Sequence, residues 1–107
     1  MSNQTDPIDI TIKNIPREEF SKYQLLDIRE DDERQVEPVI SRDCKTFPFS
    51  TFGKDSFLFE RDRKYLIFCG KGGRSRRMVE TLREQGVTNT FSVVNGIASV
   101  NSYLKNF

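Results

Sequence analysis

The sequence predicts an α/β domain with a central parallel sheet and helices on both faces. Three observations carry that expectation. Tyr65-Leu66-Ile67-Phe68 is apolar at every position, which suits a central strand covered on both sides. Ser75 to Gln85 then reads as a helix, with Met78, Val79 and Leu82 on one face and Arg76, Arg77, Glu80, Arg83 and Glu84 on the others. Thr90 to Val94 is strand-like again, and strands that alternate with helices imply parallel pairing through crossovers.

The remaining elements follow in chain order. Residues 1–7 read as a frayed polar arm ahead of a single domain spanning 8–107. Ile8, Ile10 and Ile12 alternate with polar residues, the period of a short half-buried strand. Pro16 before Arg17-Glu18-Glu19-Phe20 resembles the first turn of a short helix, with acids near the positive end of its dipole. Tyr23 to Ile28 is an apolar run of strand length, and Arg29 to Gln35 is either a loop or a solvated helical turn. Val39-Ile40 is expected to open a further short strand. Cys44 to Phe59 holds five phenylalanines with Pro48 and Gly53 as punctuation, and reads as irregular chain or short helix laid over the core. Gly86 stands where a helix C-cap belongs, Asn95-Gly96 is a turn, and Ile97 to Phe107 is a closing helix. No repeat and no linker interrupts the chain.

Composition narrows the chemistry. The 107 residues carry 17 basic and 16 acidic side chains, a formal charge of +1, which argues against a dedicated nucleic-acid or membrane surface. No apolar run approaches the roughly 20 residues that span a bilayer, and the polar N-terminus shows no secretory pattern. Two cysteines, Cys44 and Cys69, are fewer than a secreted disulfide scaffold would use, so reduced thiols in a cytoplasmic setting are expected. There is no histidine, which removes Ser/His/Asp and Cys/His systems, and two cysteines are too few for a structural zinc site. Any catalysis must use a thiol, carboxylates, basic side chains or backbone amides.

Those groups converge at Cys69-Gly70-Lys71-Gly72-Gly73-Arg74-Ser75, after the buried strand and before the helix. That is the carboxyl end of a strand, where α/β sheets bind ligands. Glycines let the backbone turn so that successive amides point inward as an anion-binding nest, and the following helix adds its positive end. A thiol at the floor of such a cradle loses its proton readily without a histidine base.

The run resembles the active-site loop of the rhodanese-like family, Cys-x-x-Gly-x-Arg followed by Ser or Thr, with Cys69, Gly72, Arg74 and Ser75 filling the pattern. Tyr23 to Glu30 is similar to the family's Leu-Asp-Val-Arg-Glu strand. Gly86-Val87-Thr88-Asn89 and Val94-Asn95-Gly96-Ile97 are similar to its closing segment. The likeness extends from about Ile8 to about Tyr103. The chain departs from the family where a His-Ile-Pro-Gly-Ala run is common, showing Glu37-Pro38-Val39-Ile40 and Asp43-Cys44-Lys45, and Asn95 replaces a second glycine.

The resemblance implies a sulfurtransferase of the thiosulfate:cyanide type, with no metal and no cofactor. Cys69 would take a sulfane sulfur from a small donor as a persulfide, and a thiophilic acceptor, a sulfur-carrier protein among the candidates, would remove it. The amides of Gly70 to Arg74 would hold the outer sulfur. Lys71 would stand near an anionic donor, Arg74 would brace the loop, and Asp27 would orient loop groups or Arg74. Arg29 is a candidate for structural pairing and Ser75 for substrate binding. Cys44 reads as an ordinary thiol or, less readily, as a resolving cysteine. Two other readings stay open. One is a non-catalytic module that only binds a partner. The other is a cysteine phosphatase or arsenate reductase, whose Cys-x5-Arg loop is one residue longer than the spacing from Cys69 to Arg74.

Overall fold

The computed structural model describes residues 6–41 and 43–106. Among them are five strands, β1 (Asp9–Ile10), β2 (Tyr23–Asp27), β3 (Cys44–Thr46), β4 (Lys64–Phe68) and β5 (Thr90–Val93). Three α-helices, α1 (Asp31–Val36), α2 (Gly73–Glu84) and α3 (Gly96–Lys105), connect or follow them. The strands form one sheet in the order β1-β5-β4-β2-β3, every pairing parallel. The α/β class with helices on both faces is the fold observed.

The all-apolar β4 lies at the centre because both of its faces are covered. Leu66 and Phe68 point to one side, with Ile12, Ile15, Leu25, Val93, Ile97 and Val100. Tyr65, Ile67 and Cys69 point to the other, with Leu26, Ile28, Met78, Val79 and Leu82. The alternation follows from the period of two along a strand. α3 therefore packs on one face and α2 on the other. The aromatic residues of 47–59 extend the second face. Phe57 lies between Phe47 and Phe59, with ring centroids 5.9 and 4.9 Å away, and Phe59 meets Tyr65 edge-on at 5.0 Å. α2 ends in a Schellman arrangement, with the amides of Gly86 and Val87 bonded to the carbonyls of Arg83 and Leu82, so Gly86 holds the expected capping position.

Three expectations need correction. β1 is only Asp9–Ile10, because Ile12 already opens a 3-10 turn (Ile12–Asn14) that tucks Ile12 and Ile15 under α3. Val39-Ile40 is no strand. Asn101 of α3 accepts the Ile40 amide at 3.1 Å and donates to the Pro38 carbonyl at 3.0 Å, so a helix side chain pins backbone that a ladder would otherwise use. The strand beside β2 is instead Cys44–Thr46, inside the segment read as irregular. Residues 1–5 of the expected N-terminal arm lie outside the described residues, as do Arg42 and the final Phe107 of the expected closing helix. Asp6 and Pro7 are exposed, and their carbonyls accept hydrogen bonds from the Arg83 guanidinium at 2.7 and 2.9 Å. No described helix is long and apolar enough to cross a membrane.

Candidate active site

β4 delivers its last residue, Phe68, to the top of the sheet, and Cys69 follows in the next position of the inward-facing alternation. The chain must then reverse within four residues to start α2 at Gly73. Gly72 makes the reversal with φ +117°, a region that L side chains rarely adopt. The turn aims polar groups at the thiol. The Gly72 amide lies 3.1 Å from Cys69 Sγ, the Ser75 amide 3.4 Å and the Ser75 hydroxyl 3.5 Å. Cys69 is 1% exposed, so anything that reacts with it must come through the loop itself.

Burial alone would push the Cys69 thiol up. The Ser75 hydroxyl and the backbone amides of Ser75, Gly72 and Lys71 outweigh it and hold the thiol below its ordinary value. Cys44 shows the opposite balance. Burial beside the Asp27 carboxylate pushes it up to about 12, so it stays a neutral thiol. The two cysteines are free and belong to clusters on opposite faces of the sheet, which separates Cys44 from the loop.

The far side of the loop rests on α3. The Ile97 amide donates to the Cys69 carbonyl at 3.0 Å. Gly96, at φ +56°, leaves no room for a side chain: a Cβ there would sit 2.3 Å from the Cys69 oxygen and 2.5 Å from the Gly70 oxygen.

The near side is braced by a carboxylate that the sequence reading missed. Glu33 of α1 accepts two parallel hydrogen bonds from Arg74, both 2.7 Å, over the backbone of Gly70. The Arg74 bond holds the Glu33 carboxyl down to about 2, and Glu33 in turn raises Arg74. Asp27 does not meet Arg74. It is fully buried and paired with Arg29, whose Nε lies 3.0 Å from Oδ1 and Nη2 2.9 Å from Oδ2. Arg29 Nη1 continues to the Glu37 carbonyl at 2.8 Å, closing the C-terminal end of α1. The pair thereby fixes α1 to the end of β2, and α1 carries Glu33. Asp27 and Arg29 thus reach the loop through a helix rather than by contact.

Gly70 and Lys71 border two open depressions. One, about 1090 Å³, runs between the loop and α3 past Lys13, Arg17 and Ser102. The other, about 430 Å³, lies beside α1 at Glu33 and Val36. The described residues contain no His/Cys/Asp/Glu group able to hold a metal ion.

Comparison with known proteins places this arrangement. No protein-family model matches the chain. In structure it is similar to a rhodanese-related protein from Thermoplasma volcanium, with TM-score 0.68 and 28% identity over 94% of this chain and 91% of that one. The fold is rhodanese-like. A single-domain sulfurtransferase from Saccharomyces cerevisiae shares the fold over 99% of this rhodanese-like chain and 94% of its own, with TM-score 0.66 and 20% identity. In sequence the domain is 36% identical over 67 residues, 61% of its length, to a tRNA sulfurtransferase of Yersinia enterocolitica. It spans only 14% of the length of that curated relative.

Within the rhodanese-like domain, Cys69, Gly72 and Ser75 meet at the sulfur, and Arg74, Gly70 and Glu33 stack beside it. Gly73 opens α2, and Lys71 is exposed at the opening. One signal could have found Glu33. An arginine fixed in a glycine loop needs an acid, and Glu33 stands four residues after Arg29, one helical turn on from a strand end already assigned to the site.

Proposed function

We propose that this domain is a sulfurtransferase in which Cys69 carries a sulfane sulfur as a persulfide. The observation that supports the reading best is the thiol ringed by the Gly72 and Ser75 amides and the Ser75 hydroxyl, in a loop with four residues between Cys69 and Arg74. Such a cradle favours a thiolate, and its loop is one residue shorter than the Cys-x5-Arg loop of the phosphatases.

With thiosulfate as donor, the Cys69 thiolate attacks the outer sulfur. A new S–S bond forms, the donor S–S bond breaks, and sulfite leaves with its electron pair. The negative charge then resides on the outer sulfur. Amides of Gly70 to Arg74 not already engaged with Sγ stabilise it, those of Gly73 and Arg74 being first-turn amides of α2 with no partner inside the helix. Lys71, at the opening, draws an anionic donor in. Arg74 holds the loop through Glu33, and Asp27 with Arg29 holds α1. A thiophile such as cyanide, a thiol or the persulfide acceptor of a carrier protein then attacks the outer sulfur, and Cys69 departs as the thiolate. The names of the sequence relatives favour a sulfur-relay role of this kind, and two free thiols suit a reducing compartment such as the cytoplasm.

Intact mass spectrometry after incubation with thiosulfate, then cyanide, tests the proposal. One sulfur should be gained at Cys69 and lost to cyanide. Cys69→Ser should gain none, and Cys44→Ser should gain one as before. A chain that takes up no sulfur from thiosulfate or from a low-molecular-weight persulfide is a binding module instead. Turnover of an aryl phosphate would make it a phosphatase.

A further inference from the structure

The Ser75 hydroxyl has one hydrogen and three neighbours: Cys69 Sγ at 3.5 Å, the Gly72 carbonyl at 3.2 Å and the Ser92 hydroxyl at 2.7 Å. Where that hydrogen points decides whether the sulfur meets a donor or a lone pair. Ser92 stands on β5, buried to 1% exposure, and its hydroxyl has no other hydrogen-bond partner among the described residues. If Ser75 donated to Ser92, the Ser92 hydrogen would be left buried with no acceptor, while the Gly72 carbonyl would keep only the Arg76 amide and the sulfur only the Gly72 and Ser75 amides. Leaving a buried donor unmade is the costly alternative. The accounting closes only when Ser92 donates to Ser75. The Ser75 hydrogen is then available to the other two neighbours.

We infer that Ser92 is a positioning residue that fixes the Ser75 hydroxyl as a donor directed at Cys69 Sγ or the Gly72 carbonyl. When Cys69 is a neutral thiol, Ser75 donates to the Gly72 carbonyl and its remaining lone pair faces the S–H. When Cys69 ionises, the Ser75 hydroxyl rotates to donate to the thiolate, and the Ser92 bond behind it strengthens the donor cooperatively. Loading the sulfur moves the charge outward, and Ser75 returns to Gly72. Both orientations keep Ser92 donating, so β5 supplies a constant dipole to a hydroxyl that alternates. The catalytic meaning of the relay rests on the sulfurtransferase reading, but its geometry does not.

The test is the pH profile of Cys69 alkylation by iodoacetamide, with the modified cysteine mapped by mass spectrometry. Ser92→Ala leaves Ser75 in reach of the thiolate but removes the bond behind it, so the midpoint should move to higher pH and the rate near neutrality should fall by roughly 1.5- to 4-fold, the cooperative share of one charge-assisted hydrogen bond. Ser92→Thr and Ser92→Val share a shape and differ by the hydroxyl. The midpoint should lie lower in the threonine variant than in the valine one. A wild-type midpoint in Ser92→Ala overturns the relay, and so does an equal midpoint in the threonine and valine variants, which would make packing the cause. The readout needs no sulfur donor. A chain that forms no persulfide but shows the shift refutes the proposed function alone. One that forms the persulfide without the shift refutes the relay alone.

Discussion

Replacing Gly96 by alanine should disarm the thiol from the far side of the loop. The new Cβ would begin 2.3 Å from the Cys69 carbonyl oxygen and 2.5 Å from that of Gly70. Carbon–oxygen contacts settle near about 3.3 Å, so the loop and α3 must part by about 1 Å. Both obstructing atoms are backbone, so no rotamer relieves the clash. Separation breaks the 3.0 Å bond from the Ile97 amide to the Cys69 carbonyl, a loss of about 1 kcal/mol. Holding φ near +56° adds about 1–2 kcal/mol for an L-residue. The sum is about 2–3 kcal/mol, which in a domain of this size lowers Tm by roughly 8–24 °C. The same movement draws the Gly72 amide, now 3.1 Å from Sγ, out of hydrogen-bonding range. Thermal unfolding by circular dichroism and the pH midpoint of Cys69 alkylation measure the two effects. Gly73→Ala is the control, because nothing lies within 4 Å of its Cβ. A Gly96→Ala protein with wild-type Tm and a wild-type alkylation midpoint would refute the account of how α3 supports the loop.

Three further outcomes are expected. Glu33→Gln removes the charge from the Arg74 pair; with the two side chains 32% and 31% exposed, solvent screening limits the loss to about 1 kcal/mol by urea unfolding at pH 7. Because the folded-state value of Glu33 is about 2 against an ordinary 4.5, its contribution is complete above the ordinary value and fades as pH falls toward 2, so the wild-type advantage should narrow across that interval. Arg29→Ala strands the buried Asp27 carboxylate and should cost about 3–5 kcal/mol in the same assay, against little change for Lys71→Ala at the surface. Iodoacetamide near neutral pH should modify Cys69 well before Cys44, as peptide mapping would show, because only the former has its ionised form stabilised.

What the sequence reveals about this fold depends on how local the signal is. β4 and α2 announce themselves through an unbroken apolar run and a one-sided helical stripe, and the loop between them through glycines that have no other use. Val39-Ile40 misleads because β-branched residues favour strands, whereas the deciding contact is with Asn101, about sixty positions away. Glu33 was hidden for the same reason, since its partner Arg74 is 41 residues on. The Asp27–Arg29 pair was nearer the surface of the text: residues two apart on an extended chain share a face, and their signs are opposite. Assigning Asp27 to Arg74 passed over that closer cation.

The placement of Cys69 and Cys44 on opposite sides of the sheet bears on the fate of any cargo. An activated chalcogen attached at one would face the other thiol only across the sheet, so self-discharge as an internal disulfide is closed by topology. On the proposed sulfur-carrying reading, unloading would require a visitor, and the lifetime of the charged form would be set by encounter frequency rather than by the protein's own clock.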